Sequence, residues 1–128
     1  MARLATVDPD GRPHLVPIVF AVLGDTIVSA VDGKPKRTTA LRRLANVAAR
    51  PAVAVLVDHY DEDWTALWWV RADGTARILD AAGVDGRAAI GALVRRYAQY
   101  DTQPPGGPVL VIDVHRWSRW SVSGRSGG

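Results

Sequence analysis

The chain has 128 residues, 48% apolar and 23% charged, with a formal net charge of +3. That is the size of one domain with the composition of an ordinary soluble globular protein. It has no cysteine, which excludes disulfides, thiolate metal ligands and cysteine nucleophiles. No apolar run approaches the roughly 18 residues of a membrane span. Asp8, Asp10 and Gly11 follow too soon for a signal peptide, so the expected setting is the cytoplasm, with no membrane partner.

Arg3–Val7 reads as a strand entering a turn at Asp8–Gly11, where proline and glycine suit a tight reversal. A second strand is expected from Arg12 to about Leu23, interrupted by Pro13 and Pro17, which mark an edge, a bulge or a bend. Leu23–Asp25 turns the chain into a third strand, Thr26–Val31. A helix follows, with Thr38 or Thr39 as N-cap, Leu41, Leu44, Ala45 and Ala48 as its buried stripe, and Pro51 as its stop. Ala52–Val57 is a continuous apolar run, the pattern of a fully buried strand. After the polar stretch His59–Trp64, Leu67–Arg71 and Thr75–Leu79 are expected to form a hairpin around Ala72–Gly74. Asp85 is the expected cap of a second helix whose Ile90, Leu93, Val94 and Tyr97 share one stripe. Asp101–Pro108 is a loop, and Val109 to about Val114 the last strand. Short consecutive strands with tight turns, plus two helices, predict an antiparallel barrel carrying helices at its ends. It forms one domain, residues 1–122, before a tail at 123–128 that is expected to be disordered.

The sharpest local conflict is at the start of the first helix. Lys34, Lys36 and Arg37 crowd an end where the helix dipole already places partial positive charge, and each loses roughly 0.3–1 kcal/mol there. A phosphate or carboxylate resolves the conflict, with Lys36 and Arg37 as charge partners and the Thr38 hydroxyl and free N–H groups as donors; a solvated basic loop is the alternative. The acidic run Asp58–Asp63 lacks the spacing of a calcium loop, and His14, His59 and His115 are too scattered for a metal motif. Ser29 and Ser118 sit in no nucleophile elbow. Trp64, Trp68, Trp69, Trp117 and Trp120 exceed what one core needs. Trp68 and Trp69, being adjacent in a strand, face opposite sides.

The stretches "RLATVDPDGRPHLVPIVFAV", "DTIVSAVDGKPKR", "LRRLANVAARPAVAVLVDHYDEDW" and "LWWVRADGTARI" resemble the pyridoxamine-phosphate-oxidase-like split β-barrel family, in its flavin/deazaflavin oxidoreductase branch. The likeness runs from about Arg3 to Trp120. It implies a mainly β (α+β) fold of the FMN-binding split-barrel type: a six-stranded antiparallel split β-barrel with two helices. It also implies a homodimer with a cofactor groove at each end of the interface. The implied cofactor is coenzyme F420, with FMN the alternative. Its ring would meet main-chain groups around Pro17 and Ile18 and border Ser29, Ala30 and Val31. Its phosphate would lie on Lys34, Lys36, Arg37 and Thr38. Trp117 or Trp120 would approach from the partner subunit. Relatives begin with an N-terminal helix that this chain does not carry, which would leave part of the groove uncovered.

No side chain stands out as an acid or base, as expected when the cofactor carries the hydride and the protein binds and orients; a proton would come from solvent or from a tyrosine such as Tyr97 or Tyr100. The expected activity is hydride transfer between reduced F420 and an unsaturated or quinone-like small molecule. The rival is a non-catalytic carrier of a deazaflavin, flavin or haem-type ligand. A nucleic-acid partner is not expected, because the second half of the chain carries no matching basic stripe.

Overall fold

The computed structural model describes residues 1–30 and 37–122, with residues 37–41 described by their backbone alone. It contains seven strands: β1 (Ala2–Val7), β2 (Pro13–Ile18), β3 (Ala21–Leu23), β4 (Thr26–Ala30), β5 (Ala52–His59), β6 (Trp68–Leu79) and β7 (Val109–Ser121). The described residues also form two α-helices, α1 (Arg37–Ala49) and α2 (Val84–Arg96), and two short 3-10 turns, Trp64–Ala66 and Ala98–Tyr100. The strands form a single sheet in the order β2-β1-β5-β6-β7-β4-β3, and every pairing is antiparallel.

That order has a consequence for shape. β2 and β3 are the two edges of the sheet, yet only Val19 and Phe20 separate them in the chain. Three residue steps span at most about 11 Å, so the sheet must curl until its edges nearly meet. The ladder stops there while the chain itself bridges the gap, which makes the barrel split rather than closed.

The strand count is therefore seven, not six, and two expectations change. The predicted second strand breaks at Val19–Phe20, where the chain crosses from one edge of the sheet to the other. The predicted hairpin at Ala72–Gly74 does not exist: Ala72 pairs with Val55 and Gly74 with Val53 inside one continuous β6. Gly74 serves close approach rather than a turn. A Cβ there would stand 2.5 Å from the Asp113 carbonyl oxygen and 2.8 Å from the Ile112 methyl. The partner ladder slips at this point, between Asp73 and Gly74, a bulge that bends the hairpin. β7 also runs on past Val114 to Ser121, carrying Trp117 and Trp120 opposite Ala72 and Trp69.

Two apolar clusters fill the fold. Leu4, Ile18, Ile27, Val55 and Ile112 line the barrel interior, which Val47 of α1 plugs. On the outer face of β3, β4 and β7, α2 packs Ala89, Ala92 and Leu93 against Val28, Val109 and Val111. The stripe expected for α2 is in place, with Ile90, Val94 and Tyr97 packed at its margin. Gly83 rather than Asp85 is its N-cap. Of the stripe expected for α1, Leu44 is half-buried, Ala45 and Ala48 are exposed and the side chain of Leu41 lies outside the described residues, whereas Asn46 and Val47 are buried. The helix is rolled because Asn46 donates a 3.1 Å hydrogen bond to the buried Thr6 hydroxyl of β1, and Arg43, one turn earlier, is drawn half under with it. The helix begins at Arg37, so Thr38 and Thr39 lie in its first turn and not at the cap. No helix among the described residues is long and apolar enough to cross a membrane.

Candidate functional site

Four of the expected site residues, Pro17, Ile18, Ser29 and Ala30, lie on the strands beside the seam between the sheet edges. β2 ends at Ile18 and β4 at Ala30, and the Ser29 hydroxyl donates 2.7 Å to the Val19 carbonyl, stitching the strand end to the exit of β2. Ser29 is fully buried, as are Ile18 and Ala30. Pro17 alternates to the outer face, opposite Arg3, and is exposed. There it joins Met1, Arg3, Asp58 and Tyr60 around a cleft of about 290 Å³. The cleft sits at the lower bound of the roughly 300–1,000 Å³ typical of small-molecule sites. Arg3 and Asp58 pair across it at 2.9 Å, both partly exposed.

Of the remaining expected residues, Val31, Lys34 and Lys36 lie outside the described residues. Arg37 and Thr38 open α1, the element that follows β4 in the chain, seven positions after Ala30. That first turn contains no acidic residue, and its free N–H groups and dipole favour an anion. Trp117 is not brought to the seam of its own protomer. It pairs with Ala72 on β7, whereas Ser29 pairs with Leu110. That is a separation of about 20 Å along a strand rising about 3.3 Å per residue.

Several side chains at the seam carry no local sequence signal. The Tyr97 hydroxyl accepts from the Phe20 N–H at 3.1 Å and donates to the Phe20 carbonyl at 3.0 Å. Arg96 donates to the same carbonyl at 2.9 Å, with its guanidinium 4.2 Å from the Phe20 ring centroid. Tyr97 is thus committed to the backbone and is a poor proton donor for chemistry. Only the 77-residue separation from Phe20, closed by the fold, hides it from a reading of the sequence.

Several other polar groups are held by local contacts. Asp63 accepts from the side chain and the N–H of Thr65, which holds its carboxyl below the usual carboxylate range. Asp113 raises Arg77 through a hydrogen bond at 2.9 Å. Burial lowers Arg43, whose Nε has no hydrogen-bond partner among the described residues; the same holds for His14 Nδ1 and Ser118 Oγ. His59 stacks on Trp68 at 6.2 Å, and His115 meets the Thr75 hydroxyl at 2.6 Å. Among the described residues no three His, Asp or Glu side chains converge as metal ligands. Trp68 and Trp69 do face opposite sides, the first beside His59 and the second under the Arg71 guanidinium at 5.8 Å.

An antiparallel sheet curled to a seam that the chain itself bridges defines a split β-barrel. The family model described as pyridoxamine 5'-phosphate oxidase matches residues 1–121, and the chain belongs to that family. No curated protein matches it. Among solved structures it is similar to a haem-binding protein from Mycobacterium smegmatis, with a TM-score of 0.73 and 22% identity over 98% of this chain and 50% of that one. It is also similar to HutZ, the haem storage protein of Vibrio cholerae (TM-score 0.73, 16% identity, 94% of this chain and 84% of that one). A third is an FAD-binding protein from Mesorhizobium loti (TM-score 0.67, 19% identity, 92% and 83%). The chain spans half the length of the Mycobacterium smegmatis protein. At these identities the likeness is one of fold.

Proposed function

We propose that this chain is a cytoplasmic oxidoreductase that binds coenzyme F420 at the seam, with FMN the alternative on the same fold. The observation that carries the reading is the meeting there of the free edge of β2 and the end of β4, which the Ser29 hydroxyl ties to the Val19 carbonyl; an acid-free helix N-terminus comes next in the chain after β4. Those features fit a flat ring bearing a phosphate: main-chain groups at Pro17 and Ile18 for the ring edge, and the first turn of α1 with Arg37, Thr38, Lys36 and Lys34 for the anion. When bound, F420 supplies the hydride. The protein's own residues bind, orient and screen it, and the acceptor is an unsaturated or quinone-like small molecule. Family membership and an FAD-binding neighbour support the class.

The partner is a second copy of the chain. The outer face of the sheet carries Leu15 at 65% exposure, with Pro17, Leu56, Trp69 and Trp120 on the same side. These apolar side chains, set among Arg3, Asp58, Arg71 and Asp73 on the same face, suit a self-complementary contact with charged pairs around it. Trp117, remote from its own seam, would then serve the partner's. A carrier of the same ligand, or of a haem-type ligand, is the second reading, favoured by the haem-binding and haem-storage neighbours.

Fluorescence titration with F420 and then FMN tests the proposal, and indifference to both would overturn it. Reversing charge in a Lys36→Glu/Arg37→Glu variant is expected to weaken binding with the fold intact. Multiple-turnover loss of F420H2 absorbance with a quinone acceptor separates catalyst from carrier.

A further inference from the structure

In a continuous sheet the N–H and carbonyl of Phe20 would belong to a neighbouring strand. At the seam both are taken by one side chain, the Tyr97 hydroxyl, which accepts from the first at 3.1 Å and donates to the second at 3.0 Å. Arg96 adds a further bond to the carbonyl at 2.9 Å. Its guanidinium lies over the rings of Phe20 and Tyr97, 4.2 Å and 5.3 Å from their centroids. The clamp is itself anchored: the Tyr97 N–H donates to the Leu93 carbonyl at 2.9 Å, and Leu93 is the fully buried residue of α2 that packs against the sheet.

We propose that Arg96 and Tyr97 are positioning residues that set the width of the seam, and so the placement of β2's main chain against a ring ligand. The ligand half of this inference rests on the reading that the ring lies along Pro17 and Ile18. Phe20 is two residues beyond Ile18, too close for the strand end to move while Phe20 is held. The phenol acts as a one-residue substitute for the missing strand partner: it satisfies a peptide group that an open barrel edge would leave unpaired. Ser29 holds the preceding carbonyl from the β4 side, so the two clamps fix the bridge from both sides of the gap.

The test uses the full chain with Tyr97→Phe, which removes the hydroxyl and little volume. The control is Thr6→Val, which strands a buried polar partner at the far end of the β1–β2 hairpin. Amide hydrogen exchange without ligand is expected to show protection at Phe20 falling about tenfold or more in Tyr97→Phe, the scale of a lost net hydrogen bond, and unchanged in Thr6→Val. The dissociation constant for F420 or FMN, measured well below both melting points, is expected to rise about tenfold in Tyr97→Phe and less than about twofold in Thr6→Val. Unchanged protection at Phe20, or equal loss of affinity in both variants, overturns the proposal. If the wild-type chain binds neither cofactor, the ring-ligand reading fails, and the exchange experiment still decides whether the clamp holds the seam.

Discussion

The Thr6–Asn46 hydrogen bond should behave as a coupled buried pair. Both residues are 2% exposed, their side chains meet at 3.1 Å, and Asn46 precedes Val47, the residue that plugs the barrel. Thr6→Val leaves the Asn46 amide without its acceptor, and Asn46→Leu leaves the Thr6 hydroxyl without its donor. Each is expected to cost about 2 kcal/mol, because a buried polar group stranded without a partner loses roughly 1–3 kcal/mol. Replacing both partners by apolar groups of similar shape is nearly neutral, so the double variant should lose no more than about 1 kcal/mol and the cycle should report about 3 kcal/mol of coupling. Urea unfolding followed by tryptophan fluorescence measures it. At a slope of about 2 kcal/mol/M, each single variant moves its midpoint down by about 1 M with the slope unchanged. Losses that add within about 0.5 kcal/mol would refute the reasoning, and α1 would then be docked by Val47 alone.

Gly74→Ala forces a methyl to within 2.5 Å of a backbone carbonyl that the β7 ladder cannot move aside. It should cost about 3 kcal/mol, the upper end for overpacking, and a melting curve unchanged to within 2 or so degrees would contradict the close approach. Asp63, held below its usual range by Thr65, contributes a cap that is fully present above the ordinary carboxylate pKa and is lost as pH falls through the depressed value. The Thr65 amide shift followed by NMR should therefore titrate below the ordinary aspartate range, and a midpoint within or above that range would reverse the assignment. Leu15→Glu, on an exposed position, should change monomer stability by less than about 0.5 kcal/mol while converting dimer to monomer in sedimentation. A dimer that persists would move the interface to another face.

Most strands and the face of α2 were legible because apolar periodicity reports burial directly. Leu93 is buried where the pattern puts it, and Ile90, Val94 and Tyr97 pack partly buried beside it. What was not legible depended on which of two physical roles a residue takes. Gly74 reads as a turn glycine, yet it lies inside a strand because Asp113 and Ile112 leave no room for a side chain. Ala45 and Ala48 read as a buried stripe, yet alanine commits little area. One valine and one hydrogen-bonded asparagine outweigh the pair and roll the helix. In the site, Ile18, Ser29 and Ala30 do converge at the seam. Their identification came from family resemblance and not from spacing. Tyr97 and Arg96 reach Phe20 across 77 and 76 residues, a distance no local pattern encodes.

A split barrel faces a choice that a closed one does not. Closure would satisfy every strand edge but leave no main chain free to meet a ligand, whereas an open edge exposes unpaired donors and acceptors that invite aggregation. This chain takes an intermediate course. The bridge residues Val19 and Phe20 are satisfied by Ser29, Tyr97 and Arg96, so the gap cannot widen into a general sticky edge. The segment just before it, ending at Pro17 and Ile18, keeps one side without a strand partner. Proline removes one donor from that side, leaving it short, specific and rich in acceptors. Rigidity at the bridge and openness beside it are therefore two halves of one arrangement. Loosening the clamp should blunt recognition of a ring before it threatens the fold.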